Sequence, residues 1–107
     1  MLSQFLTKAG HEAIGVPNGR EAMVSILSRL PDAVVLDLLM PEMDGVDLLS
    51  ILRSYLRLQT LPVIVWTAVS DGPMLDRIKR MKVDEILLKP KTTFPDIVRA
   101  IERHLPA

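Results

Sequence analysis

Ala33-Val34-Val35-Leu36-Asp37-Leu38-Leu39-Met40-Pro41-Glu42-Met43-Asp44-Gly45 is the stretch on which the fold turns. Its first four residues are all apolar, with no alternation. A run of that kind reads as a short strand covered on both faces, the situation of a parallel sheet with helices on either side. The run ends at a carboxylate, Asp37. A proline and an Asp-Gly pair follow within eight residues, which marks a loop.

Toward the N-terminus, Leu2, Phe5, Leu6 and Ala9 fall at i, i+3, i+4 and i+7, one face of a short helix, and Gly10 closes it. Residues 12–16 are a strand candidate, and Pro17-Asn18-Gly19 is a turn. Ala22, Met23, Ile26, Leu27 and Leu30 mark a second helix that Pro31 stops. Toward the C-terminus, residues 46–58 form a third helix, apolar on more than one face. Pro62 opens a second buried strand over 63–66, followed by Thr67-Ala68. Asp71-Gly72-Pro73 starts a fourth helix carrying Met74, Leu75, Ile78 and Met81. Residues 85–88 make a last strand ending at Lys89-Pro90. Ile97, Val98, Ile101 and Leu105 give a final helix closed by Pro106. The order αβαβαβαβα predicts one α/β domain over residues 1–107, a doubly wound parallel sheet with helices on both faces.

Composition narrows the function classes. Nearly half of the 107 residues are apolar, yet only four are Phe, Trp or Tyr, so the core is aliphatic. Thirteen basic and thirteen acidic residues cancel, which gives no general attraction to nucleic acid or to an anionic membrane. With no cysteine, thiol catalysis, disulfides and cysteine zinc sites are excluded, and a cytoplasmic setting is expected. No apolar run approaches bilayer length.

In open parallel sheets the ligand site lies at the carboxyl ends of the strands. Three polar residues end three of the expected strands: Asp37, Thr67 and Lys89. Each suits the handling of a phosphoryl group. A carboxylate can attack phosphorus, a hydroxyl can hydrogen-bond a phosphoryl oxygen, and an ammonium offsets the same negative charge. Singly these residues carry little information. Together, at the ends of three consecutive strands, they carry much more.

The loop from Asp37 to Gly45 resembles the D-x-x-M-P-x-x-D-G signature of response-regulator receiver domains, the phosphoacceptor modules of two-component signalling. Thr67-Ala68 resembles that family's hydroxyl-Ala pair, Lys89-Pro90 its Lys-Pro pair, and Asn18-Gly19 with Glu21-Ala22 the turn that opens its second helix. The resemblance covers essentially the whole chain and implies the flavodoxin-like, CheY-like fold. It implies that Asp37 is the phosphoacceptor, that Thr67 binds the phosphoryl group and reorients, and that Lys89 pairs with its oxygens. It further implies Mg²⁺ held by Asp37 and the Leu39 carbonyl, a cis bond before Pro90, and a loop shaped by Met40 and Pro41. The implied partners are a histidine kinase or phosphotransfer protein and a downstream protein target.

The chain also departs from the family. The family's first, central strand ends in two adjacent acidic residues that hold the metal, and the only acids before Asp37 are Glu12, Glu21 and Asp32, none at the matching place. Weak Mg²⁺ binding is therefore expected of the isolated chain. Without that strand its two neighbours each lose a partner, so a homodimer or a rearranged sheet is expected, unless the first residues were lost by truncation or a misplaced start. Ile86 stands where the family's last strand usually carries an aromatic switch residue. Leu39 and Val69, two positions beyond Asp37 and Thr67, imply slow loss of a bound phosphoryl group. Arg77, Lys79, Arg80 and Lys82 read either as a solvated face or as a partner surface, and without interleaved aromatics they are no nucleic-acid signature. His11 and His104 read as surface residues and Trp66 as a core residue near the site. Two readings follow: a phosphorylatable receiver module, or a pseudo-receiver that binds or dimerises without phosphorylation.

Overall fold

The computed structural model describes residues 2–39 and 45–105. The loop residues 40–44 and the closing Pro106 lie outside them. Three parallel strands form one sheet in the order β1-β2-β3: β1 is Val34–Leu36, β2 is Val63–Thr67 and β3 is Glu85–Leu88. Leu36 pairs with Val65, and Thr67 with Leu88. Among the described residues five helices surround the sheet: α1 (Leu2–Lys8), α2 (Gly19–Ser28), α3 (Gly45–Ser54), α4 (Pro73–Arg80) and α5 (Phe94–His104).

Alternation along the strands divides the core in two. Leu36, Val63 and Val65 face α2, α3 and α4, where they meet Met23, Ile26, Leu48, Leu49, Leu52, Leu75 and Ile78. Ile64 faces the other way, toward Ile97, Ala100 and Ile101 of α5, with Leu2 and Leu6 of α1 at the margin. The central strand is the most covered: Val63, Ile64 and Val65 have no exposed surface. Each such side chain contributes about 1.5–3 kcal/mol on leaving water. At the other extreme, α1 has no fully buried residue.

Local chemistry sets the helix ends. The Asn18 side-chain carbonyl accepts the Glu21 N–H at 2.9 Å and caps α2. Thr93 and Asp96 form a reciprocal capping box at the start of α5, at 2.9 and 3.3 Å. Gly10, with φ 97°, takes the left-handed turn that ends α1.

Four expectations need correction. Residues 12–16 form no strand. A strand needs a ladder partner, and among the described residues nothing pairs with this segment or with the outer edge of β1. Instead the segment is tied at its start, where His11 lies 3.2 Å from Glu102 and Arg29 forks onto Glu12 at 2.7 and 3.0 Å, leaving Ile14 63% exposed. The sheet is thus one strand shorter than expected, although its class, parallel with helices on both faces, is as read.

The third helix is also shorter than 46–58. It stops at Ser54, and a separate 3₁₀ turn spans Leu56–Leu58. The Arg53 guanidinium donates to the Leu58 and Leu61 carbonyls at 2.8 and 2.9 Å and to the Lys82 carbonyl at 2.9 Å. The chain must turn back to supply those carbonyls and to bury Leu58 and Leu61. Partial burial pulls the Arg53 pKa down, against the opposing pull of Asp84. Helix α2 closes at Ser28 with Arg29 as its C-cap, before reaching Pro31. Finally, the bond before Pro90 is not cis, and Lys89–Lys91 forms a 3₁₀ turn.

Candidate functional site

Parallel pairing brings the three strand ends to one edge. Asp37 follows β1, Thr67 ends β2, and Lys89 follows β3. Asp37 and Lys89 meet, with the Lys89 Nζ 2.7 Å from Asp37 Oδ2. The other carboxylate oxygen, Oδ1, accepts the Leu39 N–H at 3.1 Å, a local turn that fixes the carboxyl group's orientation. Both side chains are about one-third exposed, 32% for Asp37 and 35% for Lys89, so a reagent can reach them from solvent.

Thr67 is placed beside them on the central strand but does not join the pair. It is fully buried, and its Oγ1 accepts the Val69 N–H at 3.0 Å. A hydroxyl accepting one bond can still donate its own hydrogen, so Thr67 keeps a donor to offer at this edge.

Two further residues shape the site, and sequence patterning gave neither of them this role. Gly45 begins α3 and donates its N–H to the Leu38 carbonyl at 2.9 Å. A Cβ there would lie 2.6 Å from the Leu38 Cα and 2.7 Å from the Asp37 carbonyl oxygen. Only glycine lets α3 start this close to the backbone that carries Asp37. The Asp-Gly pair in the loop was the available signal. Trp66 is the other. The Lys89 ammonium sits 4.7 Å from the centre of its ring, a cation–π contact, while also holding Asp37. Trp66 is therefore a neighbour of the site as well as part of the core. Its buried indole Nε1–H has no hydrogen-bond partner among the described residues. Nothing in the order of residues announces this contact, because it depends on the register of β2 against β3.

The donor set does not by itself suit Mg²⁺. That ion takes six oxygens, commonly with one or two carboxylates among them. Here Asp37 is the one carboxylate at the described strand ends, with one hydrogen bond to each of its oxygens. The Leu39 carbonyl is the second expected ligand, and no group of three or more His, Cys, Asp or Glu is gathered for a metal among the described residues.

The remaining features lie elsewhere. Arg77, Lys79 and Arg80 lie along α4 and Lys82 just after it, in keeping with a solvated face. His11 and His104 are half-buried and engaged with carboxylates. No helix among the described residues is long and apolar enough to cross a membrane.

Comparison with known proteins bears on the family and the fold. The family model "Response regulator receiver domain" matches residues 1–102. The chain is 32% identical over 92 residues to the chemotaxis protein CheY of Thermotoga maritima, covering 84% of this chain and 74% of that protein. It is 35% identical over 92 residues to the probable transcriptional regulator ycf27 of Porphyra purpurea, again over 84% of this chain but only 36% of the relative. The chain thus spans about a third of the length of such regulators. Among solved structures, the signal receiver domain of a histidine kinase from Syntrophus aciditrophicus superposes with a TM-score of 0.87 at 34% identity, covering 97% of this chain and 78% of that one. With its parallel sheet, its helices on both faces and a family match over residues 1–102, the chain belongs to the response regulator receiver domain family.

Proposed function

We propose that this receiver domain takes a phosphoryl group on the Asp37 carboxylate from a histidine kinase or phosphotransfer protein and signals through contacts with a downstream protein. The observation that carries the reading is the 2.7 Å contact between Lys89 and Asp37 at an edge open to solvent. A carboxylate oxygen attacks phosphorus as the donor's P–N bond breaks. The imidazole leaves with the electron pair and keeps one proton, and a mixed anhydride remains on Asp37. Lys89 is already in place to offset the added negative charge, and Thr67 has a hydroxyl hydrogen to offer. Leu39, 58% exposed, stands two residues beyond Asp37, and Val69, partly buried against the core, stands two beyond Thr67; apolar side chains at both places favour slow hydrolysis of the product.

The described residues offer a metal little more than Asp37 and the Leu39 carbonyl, so transfer by this chain alone is expected to be slow. The outer edge of β1, unpaired among the described residues, favours self-association, with a second copy covering it. A phosphoacceptor fed by a kinase in this way would work in the cytoplasm.

Incubation with a small phosphodonor, with and without Mg²⁺, followed by intact mass, tests the reading. The expected result is a gain of one phosphate that Asp37→Asn abolishes. A gain that survives that substitution, or none under any condition, overturns it.

A further inference from the structure

The chain has four aromatic residues, and three of them form one stack that starts at the site. Trp66 meets Phe94 edge to face at 6.0 Å and 71°, and Phe94 meets Phe5 at 5.6 Å and 57°. The stack runs from β2 through the first residue of α5 to α1. In a core otherwise made of aliphatic side chains, such contacts are directional and depend on ring placement.

Lys89 connects the stack to Asp37, because its Nζ touches the carboxylate and the Trp66 ring at once. The two attractions compete for one ammonium group. Any change of charge at Asp37 alters how Lys89 divides itself between them. Lys89 is also joined to Phe94 through a short, bonded connection. Thr92 donates its N–H to the Lys89 carbonyl at 3.3 Å and its hydroxyl to the Leu88 carbonyl at 2.6 Å, and the capping box begins at the next residue. On the opposite face, Ile86 offers no ring to respond to Thr67. Helix α1 has no fully buried residue, so a small change in its aromatic packing can shift its stability.

We propose that Trp66 is a positioning residue for Lys89, and that the charge at Asp37 is coupled through Lys89, Trp66 and Phe94 to the packing of α1 on α5. The coupling deepens the reading of Asp37 as the acceptor and rests on it for its biological use. Its physical content requires only that the carboxylate charge can change.

Trp66 is the sole tryptophan, so its fluorescence reports on the Asp37–Lys89–Trp66 end of the stack. Hydrogen exchange of the α1 amides reports on the other end. Asp37→Asn is expected to shift Trp66 emission and to change α1 exchange by about two- to tenfold, the size of a single aromatic pair interaction. In a Phe94→Leu background, Asp37→Asn should still shift Trp66 emission, while α1 exchange no longer responds. Phe94→Tyr keeps the ring and should restore the response, which separates loss of coupling from loss of fold. Lys89→Met should remove the effect of Asp37→Asn on both readouts. Trp66 emission indifferent to Asp37→Asn, or an α1 response undiminished by Phe94→Leu, overturns the proposal. Neither readout involves phosphate, so a failed phosphorylation assay leaves these outcomes as they stand.

Discussion

The two ends of the sheet are built to opposite standards. At the amino end a set of polar side chains is tied into a network. Arg53 satisfies three carbonyls, Asp84 both accepts the Val63 N–H at 3.0 Å and donates its own N–H to the Val63 carbonyl at 2.9 Å, and Arg103 grips Glu85 at 2.7 and 3.1 Å. His104 closes the group, 2.9 Å from Glu85. At the carboxyl end the groups have capacity to spare. Asp37 and Lys89 are partly exposed, Thr67 retains a donor hydrogen, and the Trp66 indole N–H has no partner among the described residues. Saturated networks hold a fold in one arrangement, whereas under-used groups can take up new charge. One end fixes the strands, and the other keeps polar groups in reserve.

Breaking the amino end should cost the most. Arg53→Met keeps the aliphatic stem but leaves the Leu58, Leu61 and Lys82 carbonyls without their donor. A loss of about 3 kcal/mol in urea unfolding is expected, since each bond to a charged donor is worth about 1.5–3 kcal/mol and water recovers part of it. Trp66 fluorescence of the folded state should stay unchanged. A destabilisation below about 1 kcal/mol would mean that the amino end is less cooperative than its geometry implies.

The same end should confer an acid limit. The Arg103 guanidinium holds the Glu85 carboxyl below its ordinary value, with burial opposing and His104 adding to the effect. A carboxylate depressed in the folded state stabilises it fully above the unfolded value of about 4.5, and that contribution disappears as pH falls through the folded pKa. Thermal midpoints recorded from neutral pH down to about pH 3 should therefore drop more steeply for the wild type than for Glu85→Gln. Parallel curves would remove Glu85 from the account.

At the carboxyl end the expected stability change is smallest. Lys89→Met breaks an ion pair whose members are both about one-third exposed, so its effect should stay within about 1 kcal/mol. Phosphate uptake should nonetheless fall sharply. A large loss of stability here would erase the contrast between the two ends.

The candidate site at the carboxyl end was more legible in the sequence than the saturated amino end. Asp37, Thr67 and Lys89 were legible because each terminates a continuous apolar run, and parallel pairing then brings run ends together. The ties of Arg53, Glu85 and His104 were not legible. They join residues whose partners lie in other elements, and no spacing rule relates them. Arg53 also explains the early end of α3, since the apolar pattern of residues 46–58 runs unbroken through the point where the chain turns back. Residues 12–16 carry strand-like composition, but composition cannot supply a neighbouring ladder. Trp66 was legible as a core residue near the site, but not its contact with Lys89, which is created by the register of two strands.

The sparing attachment of α1 sets an order of events when the molecule is heated or digested. The ladders and the crossover helices hold the unit from β1 to α5, while α1 is retained by partly covered side chains and by the bond between His11 and Glu102. Its helix can detach without breaking a single strand pair. A protease should therefore meet residues 11–17 while the sheet is still intact, and the first fragment released would carry Phe5 away from the rest.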